Sequence, residues 1–109
     1  MNLDAILGAL PTKPDAYAVR LAEGVEAHRD DIDALLTKYS EHWALERMPA
    51  IDRAVLRIGV YELGWEPELP RAVAVSEAVE LAKQYSTKDS GRFVNGLLGR
   101  ISDELRPNE

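Results

Sequence analysis

Two histidines, His28 and His42, are the residues best suited to acid–base or metal chemistry in this sequence, and neither stands in a pattern that such chemistry requires. His28 falls on an apolar stripe, where a packed or hydrogen-bonded ring is expected. His42, between Glu41 and Trp43, reads as a surface or turn residue. Ser40 and His42 lie too close along the chain to make a triad without a distant acid. Glu77 and Glu80 share a helix face, but a metal site in a helix bundle needs Glu-x-x-His from facing helices, which this sequence lacks, so both are expected in solvent. No Gly-rich phosphate loop follows a strand, and the absence of Cys removes thiolate zinc sites, disulfides and cysteine nucleophiles. The expectation is a protein that is not an enzyme, with no cofactor and no metal.

The segment from Tyr85 to Arg100 is less ordinary. Gly91, Gly96 and Gly99 fall inside a helical pattern at a cost of about 1 kcal/mol each relative to Ala. Close helix packing explains such glycines blandly and is the reading favoured for Gly99. The functional reading is that Lys88, Arg92 and the amides of a helix start hold phosphates while an aromatic ring stacks a base. Phe93 lies on the apolar stripe, which favours the core for it.

The charge distribution supports a localised anion site. The protein is acidic, with net charge −6, but the whole acid excess lies in residues 1–70. Residues 83–100 carry Lys83, Lys88, Arg92 and Arg100 against Asp89 alone. At 109 residues, 46% hydrophobic and 29% charged, the chain suits one globular domain. Its apolar runs are far too short to span a bilayer, and the missing Cys fits a reducing cytoplasm.

Helical spacing dominates the elements that must position these residues. Asn2 caps a short helix carrying Leu3, Ile6, Leu7 and Leu10, ended by Pro11 and Pro14. A long helix is predicted over 15–38, with Tyr17, Leu21, Val25, His28, Ile32, Leu35 and Leu36 on one stripe. Residues 40–48 form a helical turn that sends Trp43 and Leu45 into the core. Pro49 opens a helix that ends at Gly64, Pro67 and Pro70 bound a loop, and a helix over 73–85 turns Val75, Ala78, Val79, Ala82 and Tyr85 inward. Asp89 or Ser90 caps the last helix, which carries Phe93, Leu97, Ile101 and Leu105, and the tail 106–109 frays. The predicted fold is all-α, a compact bundle of about five helices in one domain over residues 1–109, without internal repeats.

Three blocks carry a family resemblance: Ile51-Asp-Arg-Ala-Val-Leu-Arg-Ile-Gly-Val-Tyr-Glu-Leu63, Val73-Ala-Val-Ser-Glu-Ala-Val-Glu-Leu-Ala-Lys83 and Asp89-Ser-Gly-Arg-Phe-Val-Asn-Gly-Leu-Leu98. In order and spacing they resemble the NusB transcription antitermination factors, over about residues 15–102. The resemblance implies an all-helical protein that binds the boxA element of ribosomal-RNA transcripts together with NusE, a small-subunit ribosomal protein, and so acts indirectly on RNA polymerase. It implies RNA contacts at Asp89, Ser90, Arg92 and Phe93, with Asn95 adjacent, joining Lys88 of the charge reading, and NusE contacts at Glu46 and Asp52. The family's Arg-rich first helix has no counterpart here, since Met1 to Leu7 resembles the second. Weaker RNA affinity and an uncovered stripe at Tyr17 and Leu21, inviting a homodimer, are the expected consequences. The alternatives are a protein-interaction module that keeps NusE binding with weak or no RNA binding, and an appendage like those fused to RNA methyltransferases.

Overall fold

The computed structural model describes residues 16–40 and 43–109, and every described element is helical. The order is α1 (Ala16–Ala27), α2 (Arg29–Tyr39), a 3-10 turn (Leu45–Arg47), α3 (Ala50–Trp65), α4 (Arg71–Tyr85) and α5 (Lys88–Leu105). The helix predicted over residues 2–10, with Glu41 and His42, lies outside the described residues. Five α-helices are therefore present among the described residues, as the sequence pattern led one to expect, although not the same five.

The predicted helix over 15–38 is two helices that meet at His28, whose φ of −115° and ψ of 18° leave the helical region. The i→i+4 bonding continues on both sides of the junction, from His28 N to Gly24 O at 3.1 Å and from Ile32 N to His28 O at 3.0 Å. The apolar period runs through the junction unbroken, so the pattern alone cannot reveal it. The His28 ring stacks on Trp65 at 4.4 Å and serves as packing.

Helix α3 is the central element, and α1, α2, α4 and α5 all pack against it. It buries residues around most of its circumference, including Val55, Leu56, Ile58, Val60 and Leu63, as a helix enclosed by neighbours must. Two glycines permit the closest approaches. A Cβ on Gly24 would stand 2.3 Å from Tyr61 Cζ, and one on Gly59 would stand 2.6 Å from Leu98 Cδ1. Helix α4 buries Ala74, Ala78 and Ala82. Small side chains every four residues bring its axis close to α5. Val75, predicted to face inward, is only partly buried beside that row.

Tertiary contacts also correct the chain ends and caps. Pro49 is the N-cap of α3 rather than its first residue, and α3 runs on to Trp65. The cap of α5 is Thr87, whose side chain accepts from Ser90 N at 3.0 Å, so neither Asp89 nor Ser90 fills that role. The tail is tied down rather than frayed. The Arg106 guanidinium donates to the carbonyls of Leu63 at 3.0 Å, Glu62 at 3.0 Å and Glu66 at 2.8 Å, and to that of Leu69. One side chain thus closes the α3 C-terminus, where helical carbonyls lack intrahelical partners.

Candidate nucleic-acid and partner interface

Thr87 is extended, at φ −127° and ψ 166°, and turns the chain into α5, capping the positive end of the helix with its own side chain, which accepts from Ser90 N. On that turn Lys88 and Asp89 are exposed, and Arg92 and Asn95 follow on the exposed face. Lys88 and Arg92 are one helical turn apart and therefore neighbours. Lys83 joins them from α4: its aliphatic stem lies over Gly91, where an added Cβ would stand 2.8 Å from Lys83 Cγ. Of the four cations of residues 83–100, Lys83, Lys88 and Arg92 thus lie near the start of α5, and Arg100 lies two turns beyond Arg92. Phe93, one residue beyond Arg92, is half-buried at the flank of this face.

Ser90 is placed differently from the other five positions of the RNA set. It is buried, and its hydroxyl donates to Asp52 Oδ2 at 2.8 Å. Ser86 Oγ and Thr87 Oγ1 each lie 3.0 Å from the same oxygen of Ser90. Since that one proton goes to the carboxylate, the neighbouring hydroxyls donate toward Ser90. Ser90 therefore shapes the helix start and does not present its hydroxyl to a ligand.

Asp52 is deeply placed. Predicted to face a protein partner, it is only 1% exposed, in the first turn of α3 beneath Ser90. An acid there is favoured by the α3 dipole, which explains the residue type without a partner. Its Oδ1 has no hydrogen-bond partner among the described residues. Glu46, the other partner-facing position, is exposed on the 3-10 turn. Arg53, which the sequence reading passed over, holds that turn by donating from Nη1 to Leu45 O at 3.2 Å and Met48 O at 3.5 Å.

Trp43 was expected in the core. Instead it is 37% exposed and meets Phe93 edge to face, with centroids 5.2 Å apart and planes at 64°. Ser40 Oγ donates to Trp43 O at 2.6 Å, which spends the Ser40 hydroxyl on positioning this residue. The available signal was its position six residues before Pro49, in a stretch with no helical period to turn it inward.

A second polar group joins α1 to α3. Tyr17 OH donates to Glu62 Oε2 at 2.7 Å, and Glu66 accepts from Arg20 Nη2 at 2.6 Å and Tyr61 OH at 3.1 Å. Burial pushes the Glu62 carboxyl above its ordinary range; the Tyr17 hydrogen bond opposes this, and Glu77 and Glu66 add to it. These contacts fasten a helix; of the two residues expected to be uncovered, Leu21 is buried beside them and Tyr17 is 39% exposed. Glu77 and Glu80 are exposed, as read from the sequence, and no group of His, Asp or Glu among the described residues could hold a metal. No described helix is long and apolar enough to cross a membrane.

The chain matches the NusB family over residues 2–103. It is 60% identical over 94 residues to the transcription antitermination protein NusB of Saccharopolyspora erythraea, a match covering 83% of this chain and 64% of that protein. The solved structure of T. maritima NusB is similar at 45% identity and a TM-score of 0.77, covering 80% of this chain and 61% of that one. A structure of antitermination factors NusB and NusE in complex with dsRNA superposes at a TM-score of 0.76 with 26% identity, covering 93% of this chain and 76% of that one. The chain thus spans somewhat less than two-thirds of the length of the NusB protein first compared.

Proposed function

This chain belongs to the NusB family, and from that premise we propose that it is a transcription antitermination factor, binding boxA-type RNA of ribosomal-RNA transcripts together with NusE. The observation that carries the reading is the exposed cation pair Lys88 and Arg92 at the start of α5, beside the half-buried ring of Phe93. Cations and the positive helix end attract phosphates, and the ring offers a stacking face for an unpaired base. Asp89 and Asn95 supply an acceptor and an amide on the same exposed face. Ser90 and Asp52 act from below, by fixing the turn that aims the others.

Glu46, on the 3-10 turn held by Arg53, faces NusE in this reading. An acidic first part suits a basic ribosomal protein, with the charges steering encounter more than setting affinity. The protein is not an enzyme: its residues position a transcript and a protein partner for RNA polymerase in the cytoplasm.

The test is a salt titration of boxA-type RNA binding, with and without NusE. Arg92→Ala should weaken binding and lower the salt slope by about one, and Phe93→Ala should weaken it without changing the slope. Unchanged RNA affinity of the NusE complex in both variants would remove the RNA assignment. Retained NusE capture with no RNA preference would assign the interaction-module alternative. Glu46→Lys should reduce NusE capture, and undiminished capture would remove that contact.

A further inference from the structure

Among the glycines of α5, Gly96 and Gly99 have no close packing against the described residues, and Gly96 is the exposed one of the two. Gly91 lies beneath the Lys83 stem. Gly96 is exposed, and a Cβ built there meets nothing within 4 Å among the described residues. The close packing that would offset a helical glycine is missing at Gly96, and at Gly99 as well, where the sequence favoured it. Gly96 stands one helical turn beyond both Arg92 and Phe93, its nearest neighbours on the exposed face, and Arg100 follows one turn later.

The second observation is aromatic. The Trp43 indole is exposed, is held by Ser40 through its backbone, and meets Phe93 edge to face. The exposed indole thus touches a partly exposed phenyl ring that, like Arg92, stands one helical turn before Gly96 on α5. An indole offers a flat apolar face that any nucleobase can stack on, and the absent side chain at Gly96 lets a sugar approach the helix.

We propose that Trp43 and Gly96 complete a nucleotide subsite: one RNA base packs on the Trp43 indole beside Phe93, and its ribose-phosphate crosses the helix at Gly96, with the phosphate held by Arg92. This rests on the RNA reading above and extends it to positions outside the α5 start. The occupant is an RNA strand rather than a protein because the aromatic pair and the glycine are bounded along α5 by cations.

The experiment uses the full chain with NusE and a labelled single-stranded boxA-type RNA, with affinity read by anisotropy. Trp43→Ala should lose affinity by about tenfold or more, and Trp43→Phe should recover part of it. Gly96→Gln should bind RNA several-fold more weakly while its melting temperature rises, because a helix former replaces glycine where nothing obstructs it. Opposite signs in stability and affinity are a result that a structural role alone would not give. Gly64→Ala, on the remote end of α3, serves as the control and should leave RNA affinity unchanged. In a Trp65→Phe background, Trp43 is the remaining tryptophan, and its fluorescence should change as RNA saturates.

Wild-type affinity in Trp43→Ala or in Gly96→Gln, with Arg92→Ala weakened, would overturn the subsite while leaving the RNA reading in place. Wild-type affinity in Arg92→Ala as well would overturn both.

Discussion

The hydrogen bond between Ser90 and Asp52 joins the first turns of α5 and α3, and a double-mutant cycle can measure it. The bond is 2.8 Å long, its acceptor is a carboxylate 1% exposed, and the other carboxylate oxygen has no partner among the described residues. A hydrogen bond to a charged group contributes about 1.5–3 kcal/mol. Ser90→Ala removes it and leaves the carboxylate buried with less compensation, so a loss near the top of that range, about 3 kcal/mol, is expected. Asp52→Ala removes the same bond together with a favourable charge in the first turn of α3, the latter about 0.3–1 kcal/mol. The Ser90 hydroxyl keeps Ser86 and Thr87, each at 3.0 Å, so Asp52→Ala should cost about 2 kcal/mol. The double variant has no orphaned carboxylate, and its loss should fall short of the summed single losses by more than about 1 kcal/mol. Urea unfolding of the four proteins, analysed as two-state transitions with equal slopes, gives each value. Additivity within about 0.5 kcal/mol would refute the claim that Asp52 works by holding Ser90.

Three further outcomes follow from the same contacts. Glu62 is 2% exposed and its carboxyl is held above the ordinary glutamate range, so the fold favours its protonated form. The stability this group contributes is complete below its unfolded pKa and is lost as pH rises through the elevated folded value. Glu62→Gln should therefore raise the melting temperature at about pH 8 and change it little at about pH 4; equal effects at both would contradict the assignment. Arg106→Ala should cost on the order of 3 kcal/mol in chemical unfolding, because it uncaps the carbonyls at the end of α3. Arg106→Lys should recover little of this, since an ammonium lacks the planar fork of donors. Gly24→Ala should destabilise by about 1–3 kcal/mol in the same assay, because its Cβ would meet Tyr61 at 2.3 Å; a neutral result would mean that α1 shifts freely on α3.

Periodicity and punctuation in the sequence determined the helical class, the helices bounded by Pro49, Pro67 and Pro70, and the concentration of Lys83, Lys88 and Arg92 near the start of the last helix. Those features are local: a helix repeats every few residues, and charges close in sequence on one helix remain close in space. Only the tertiary structure decided the rest, because it depends on residues far apart in the chain. Asp52 looked like a surface acid and lies under Ser90, 38 positions away. Trp43 looked like core and stands beside Phe93 at the surface. Arg106 belonged to an apparently loose tail and caps a helix that ends some forty residues earlier. The division at His28 escaped the pattern because the apolar period continues across it, and the lack of packing at Gly96 against the described residues became visible only once the neighbours of α5 were in place.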